Sequence, residues 1–217
     1  MSTLIADPFR AARLILSLRR QGVTDDAVLS ALETVDRGVF VSPDLADMGA
    51  EDCALPIACG QTLPRPIITA QLLRALQVSP GKEDKVLLIG AGSGYTAALL
   101  AQTCRHVYGV ERYAALTRNA QHTLEQLQVD NVTLRHGDGL VGLSAHGPFD
   151  RILLTGAVTV IPAVLMEQLD RDGLLVAPIE ASSGEQVLRC VSGAKAVKDE
   201  PMAQTVTRLR PGIAAAL

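Results

Sequence analysis

The chain reads as an α/β protein, with a mostly parallel central sheet, helices on both faces and an N-terminal helical extension. Three observations carry that expectation. Short apolar runs such as Lys85-Val86-Leu87-Leu88-Ile89 recur without polar alternation, as strands buried on both faces require. Segments of helical periodicity separate these runs, so strand and helix alternate, as in a parallel sheet with crossover helices. With 217 residues, 48% of them hydrophobic and 20% charged, the chain suits one sizeable core rather than two ordinary domains.

At the N-terminus Phe9, Ala12, Ile15 and Leu16 recur at helical spacing between Phe9 and Arg20, and Gly22 is placed to end that helix. Asp25 to Val35 reads as a second helix, with Thr24 or Asp25 as its N-cap. Val39 to Pro66 holds Pro43, Pro56, Pro64 and Pro66 with Gly49 and Gly60, so regular structure in this loop-rich entry segment must be short. Ile67 to Leu76 is helical again, and Ser79-Pro80-Gly81 turns into the strand Lys85–Ile89. The alternation continues as helix Thr96 to Thr103, strand His106 to Val110, helix Ala114 to Leu127 and strand Val132 to His136. Strand Arg151 to Leu154, helix Pro162 to Leu169 and strand Leu174 to Pro178 follow. Gln186 to Val191 and Gln204 to Arg210, with Gly193 between them, alternate in a way that fits late strands, antiparallel ones included. One domain over 1–217 is expected, its first 80 residues helical and loop-rich and 81–217 forming the cofactor-binding core.

Composition narrows the partners. Aromatics are 3%, tryptophan is absent and the formal charge is −3, which leaves little to stack on bases or attract phosphates, so no nucleic acid is expected. Cys53, Cys59, Cys104 and Cys190 form no C-x-x-C pair and the histidines have no ligand spacing, so no metal is expected and the thiols read as reduced, in a cytoplasm. No apolar run approaches the roughly 18 residues of a membrane span, and Asp7, Arg10 and Arg13 interrupt any signal-peptide core.

The strand Lys85–Ile89 ends directly in Gly90-Ala91-Gly92-Ser93-Gly94, which lets a ligand approach backbone where Cβ atoms would block it. A dinucleotide turn is G-x-G-x-x-G; here the last glycine comes one residue early and Tyr95 follows, so the spacing favours S-adenosylmethionine (SAM) over NAD. Glu111, 21 residues after Gly90 and at the end of the next strand, is placed to accept hydrogen bonds from ribose hydroxyls, which both cofactors need. Asp138, in Gly137-Asp138-Gly139 after the following strand, is placed to accept from an adenine amino group. Taken singly, these are a tight connection, a solvated helix start and a turn residue; after three successive strands they make one adenosyl site. Arg112, Gly139 and Leu63 are counted with the cofactor-binding set. Tyr95 either contacts cofactor or fills the start of its helix. His106, His122 and His136 read as packing or surface residues, and His146 as a loop residue.

On these residues and others the chain resembles protein-L-isoaspartate O-methyltransferases, which methylate the α-carboxyl of isoaspartyl residues. The most specific matches are Leu55-Pro56-Ile57 with Gly60-Gln61-Thr62, the block Val86 to Tyr95, and Phe149-Asp150-Arg151-Ile152 leading to Ile161-Pro162. Arg37 with Phe40-Val41-Ser42-Pro43, Asp130-Asn131-Val132, and Leu169 through Gly173 to Pro178 match more loosely, and the resemblance covers about Arg13 to Val191. It implies a Rossmann-like SAM-dependent methyltransferase fold with a distinctive C-terminal strand arrangement, SAM as donor and S-adenosylhomocysteine as product. It further implies an isoaspartyl protein or peptide, or a related carboxylate, as acceptor, and a monomer or homodimer. Two positions depart from the family pattern: Pro64 stands where the family has its active-site serine, and Leu88 where it usually has an acid that anchors the methionine end. Proline offers neither a hydroxyl nor an N–H to the acceptor.

A carboxylate with a pKa near ~4 is already ionised at neutral pH, so its methylation needs no strong base. Holding nucleophile and methyl in line at about 3–3.5 Å and excluding water carry the rate. Gln61 and Thr62 are the residues expected beside that point, and Arg65 either pairs with a substrate carboxylate in place of the serine or is a solvated loop charge. Two other functions remain: a SAM-binding homologue with a regulatory role and altered catalysis, and an NAD-dependent oxidoreductase.

Overall fold

A computed structural model describes residues 8–78, 81, 83–192 and 195–214 of the chain. Helices α1 (Pro8–Arg20) and α2 (Asp26–Thr34) form the N-terminal extension. Asp25 caps α2 by accepting from the Val28 N–H at 3.1 Å, and Leu14, Leu18, Leu29 and Leu32 bury the shared face. Short 3₁₀ turns at Arg37–Phe40 and Pro43–Met48 lead to a hairpin, β1 (Leu55–Ile57) and β2 (Gln61–Leu63), and then to α3 (Pro66–Leu76). The hairpin falls in the segment read as loop; strands of three residues are too short for alternation to register. Pro66 opens α3, where a missing N–H costs nothing.

The core then runs β3 (Lys85–Ile89), α4 (Tyr95–Ala101), β4 (His106–Glu111), α5 (Ala114–Gln126), β5 (Val132–His136), β6 (Phe149–Leu154), α6 (Ala163–Met166) and β7 (Leu169–Glu180). Two more strands, β8 (Gln186–Ser192) and β9 (Lys195–Pro201), complete a seven-stranded sheet of order β5-β4-β3-β6-β7-β8-β9. Neighbours from β5 to β7 pair in parallel, and β8 and β9 add antiparallel to β7. Both faces of β3 are buried, as its unbroken apolar run requires: Val86 and Leu88 join one core cluster, Leu87 and Ile89 the other. The first cluster unites the N-terminal extension with the sheet; the second is covered by α6 and by Leu140 and Leu143, on and after the 3₁₀ turn at Gly139–Val141.

Three expectations change. The helix expected over Pro162 to Leu169 shrinks to one turn at Ala163–Met166, and Leu169 to Gly173 joins β7, because Leu169 pairs with Phe149 through a register shift in β6. The last strand is β9, whose charged Lys198, Asp199 and Glu200 hide it from an apolar pattern but suit a sheet edge. Gln204 to Arg210 is not a strand of the sheet. It is a strap held by a lone bridge between Ala157 and Arg208 and by the Gln186 side chain, which donates to Val206 O at 3.0 Å and accepts from Val206 N at 2.7 Å. Ser79, Pro80 and Gly193 lie outside the described residues.

Candidate active site

The C-terminal ends of β3, β4, β5 and β6 converge on a cavity of about 520 Å³, a size that suits a nucleoside-bearing cofactor. Its floor is the turn after β3. Gly90 has φ +84°, and a Cβ there would lie 2.5 Å from Thr155 Oγ1. Gly94 has φ +92° at the start of α4, with a virtual Cβ 3.1 Å from Ala120. The positive φ suits glycine at both positions, and at Gly90 space excludes a side chain as well.

Glu111 is 5% exposed, not a solvated helix start. Its Oε2 accepts the Gly92 N–H at 2.9 Å and its Oε1 the Tyr113 N–H at 2.9 Å, so strand end and glycine turn hold the carboxylate at the cavity wall. Each oxygen keeps acceptor capacity for a ligand hydroxyl. Asp138 is held differently. Its Oδ1 accepts from Leu140 N at 2.9 Å and its Oδ2 from Gly212 N at 2.6 Å, and it is Gly139 and Leu140 that line the cavity. Ala214 N donates to Arg112 O at 3.0 Å, so the strap is clasped to two of the strand ends.

Ala91, Gly92, Ser93 and Arg112 also line the cavity, with Gly94 behind the turn. Ser93 Oγ, Tyr95 OH and Arg112 Nε are buried there without partners. The unsatisfied polar atoms of Ser93 and Arg112 beside the glycine floor fit a ligand such as SAM. Tyr95 borders the cavity but packs on Phe40, ring centroids 5.5 Å apart, and burial pushes its hydroxyl pKa up, so it fills the helix start. Leu88 is fully buried in the core and does not line the cavity.

The hairpin forms the opposite wall, with Gln61, Thr62, Leu63, Pro64 and Arg65 all lining the cavity. Gln61 donates to Cys59 O at 3.1 Å and reaches Tyr113 OH at 3.5 Å, linking hairpin to cofactor wall. Arg65 is engaged by Asp52: Nη2 lies 2.5 Å from Oδ2 and Nε donates to Asp52 O at 3.1 Å. Asp52 also accepts from Ile67 N at 3.2 Å and from Gln21 at 3.1 Å. Burial pushes its carboxyl pKa up, but the bonds from Arg65, Ile67 and Gln21 outweigh that and hold it below the ordinary value.

Sequence reasoning missed Thr155 and the strap. Thr155 follows β6, lines the cavity and donates to Gly90 O at 2.7 Å; the rule that ligands sit beyond parallel strand ends would have found it. Gln204 to Arg210 supply the lid side of the cavity, and no local pattern marks them for that. The histidines stand away from the cavity lining. His106 bonds Thr133 Oγ1 at 2.9 Å, and burial followed by Arg105 and His146 lowers its pKa; His146 stacks on Tyr108 at 4.6 Å. Among the described residues no helix is long and apolar enough to cross a membrane.

The sequence pattern of the family protein-L-isoaspartate(D-aspartate) O-methyltransferase matches residues 10–207. A protein-L-isoaspartate O-methyltransferase of Rhodopseudomonas palustris is 42% identical over 97% of this chain and 98% of its own length. One from Parvibaculum lavamentivorans is 47% identical over 81% of this chain and 79% of its own. A solved protein-L-isoaspartate O-methyltransferase superposes with TM-score 0.80 at 24% identity, over 91% of this chain and 65% of that longer one. A Plasmodium falciparum chain described as such an enzyme, in complex with S-adenosyl-L-homocysteine, superposes with TM-score 0.75 at 23% identity, over 94% and 99%. The chain therefore belongs to the protein-L-isoaspartate(D-aspartate) O-methyltransferase family.

Proposed function

We infer that this chain is a SAM-dependent O-methyltransferase that methylates the carboxylate of isoaspartyl residues in proteins or peptides. The observation that carries this reading is the buried Glu111, anchored to both glycine turn and strand end, facing a cavity whose other wall is the Gln61–Arg65 hairpin. Relatives aligned over nearly their whole length bear that activity in their names. SAM, when bound, supplies a methyl group made electrophilic by its sulfonium sulfur. The chain's own residues orient and desolvate. Glu111 is placed to receive ribose hydroxyls, while Gly90 and Gly92 admit the ligand to the backbone and Ser93 and Arg112 offer unpaired donors. Strap and hairpin narrow access to water, which would otherwise solvate an attacking carboxylate. That carboxylate is ionised at neutral pH, so Pro64 removes a hydrogen-bond partner rather than a base.

Arg65 is the cationic group nearest Pro64 in sequence. Its guanidinium keeps donors beyond those given to Asp52, so it serves as the acceptor-carboxylate partner in our reading. The free thiols and the lack of a membrane-crossing helix among the described residues support a cytoplasmic setting.

The test is transfer of labelled methyl from SAM to an isoaspartyl peptide, with the aspartyl isomer as control. Wild type is expected to label only the isoaspartyl peptide, and Pro64→Ser to raise kcat/KM several-fold by restoring one hydroxyl bond worth about 1 kcal/mol. Cofactor binding by calorimetry with no transfer to either peptide would leave the regulatory, non-catalytic reading, which the buried Leu88 and Pro64 favour.

A further inference from the structure

The acceptor-side wall rests on two strands of three residues each, and a hairpin of that size is marginal alone. What holds it is Arg37, 2% exposed, on the 3₁₀ turn before it. Its Nη2 donates to Cys53 O at 2.8 Å, just before β1, and to Pro64 O at 2.9 Å and Leu63 O at 3.4 Å, just after β2. Its Nη1 reaches Gly49 O at 3.3 Å and Glu51 O at 3.5 Å. One guanidinium thus ties the two ends of the hairpin to each other and to the loop at Gly49 and Glu51. The acceptors are all backbone carbonyls, so the tie does not depend on which side chains stand there.

We propose that Arg37 is a positioning residue for methyl transfer, setting Leu63 and Pro64 against the glycine turn at the distance the reaction needs; this rests on the acceptor-side reading above. The geometry explains how a remote cation acts there. Pro64 has a fixed φ and restricts Leu63 to extended backbone, so fixing the two carbonyls fixes both side chains. Both line the cavity. A planar fork is required, because Nη2 joins the two hairpin ends while Nη1 reaches Gly49 and Glu51, and a lysine ammonium, with one nitrogen, cannot serve both sets. Burial disfavours the charged form, yet a guanidinium stays protonated there, whereas a buried ammonium loses its proton more readily.

The test compares the full wild-type chain with Arg37→Lys by three readouts: S-adenosylhomocysteine affinity by calorimetry, hydrogen–deuterium exchange, and steady-state methylation of an isoaspartyl peptide. The variant is expected to bind within threefold of wild type and to keep its exchange over 85–111. Exchange over 49–65 is expected to quicken tenfold or more, and kcat to fall tenfold or more while KM for SAM holds. Unchanged exchange over 49–65 overturns the proposal. So does a loss of protection and binding throughout the chain, which makes Arg37 a residue of the fold alone. If wild type binds cofactor but methylates nothing, the proposed function fails, and exchange together with binding still decides whether Arg37 sets the wall. Should the buried ammonium prevent folding, Arg37→Gln, which keeps amide donors without the charge, is read by the same criteria; failure of both to fold overturns the proposal.

Discussion

Replacing Glu111 by glutamine keeps the shape of the side chain and changes only its hydrogen bonding. In the wild type two backbone N–H groups, from Gly92 and Tyr113, each point at a carboxylate oxygen at 2.9 Å. An amide has one oxygen, so whichever way it is turned one N–H faces an NH₂ group. At a position 5% exposed that orphaned donor costs about 1–3 kcal/mol. For a chain of this length each kcal/mol moves Tm by roughly 2–4 °C, so Tm is expected to fall by about 2–12 °C. Cofactor affinity carries a second, separable loss. One ribose hydroxyl loses its charged acceptor, worth about 1.5–3 kcal/mol, which weakens binding about 10- to 150-fold. Calorimetric titration with S-adenosylhomocysteine, run beside thermal melting, measures both, and Glu111→Asp, which withdraws the charge by one methylene, provides the control. If Glu111→Gln bound within threefold of wild type, the carboxylate would not be a cofactor ligand and its burial would serve only the turn.

Truncation after Arg210 removes the Gly212 bond to Asp138 and the Ala214 bond to Arg112 while leaving the cavity-lining strap in place. Dissociation of S-adenosylhomocysteine in stopped flow is expected to quicken about tenfold, the equivalent of one bond to a charged acceptor; an unchanged rate would mean that the clasp does not retain ligand. Asp52→Asn probes the base of the hairpin through pH. The folded-state pKa of Asp52 lies below its ordinary 3.8, so its stabilisation is complete above that value and fades as pH falls through the lower, folded-state value. The Tm gap between wild type and Asp52→Asn is therefore expected to be constant near neutrality and to close on acidification below 3.8; a gap indifferent to pH would show that Arg65 does not favour the ionised form.

Much of the cofactor half was legible in the chain itself, because its signals are local. Val86 to Ile89 is apolar without interruption since both faces of β3 are covered, and glycines follow at once because the turn needs positive φ and Thr155 leaves no room for a Cβ at Gly90. Glu111 could be placed by counting strand ends, though its burial could not. The acceptor half was legible only as a set of matching residues. Arg65 carries the same side chain whether it is free or tied to Asp52, and only the fold brings the two together. Helix and strand boundaries failed where long-range pairing overrode local preference, as when Leu169 joined β7 opposite Phe149 and a charged segment became the edge strand β9. Arg37 was seen as a family match without a task, since five backbone carbonyls accept its bonds and a carbonyl leaves no mark in a sequence. The chain alone thus determined the strand-and-turn frame and the acid that serves it, for these depend on neighbours in sequence. The tertiary structure decided the strap over the cavity and the guanidinium beneath its acceptor wall, for both act through backbone groups brought together from distant parts of the chain.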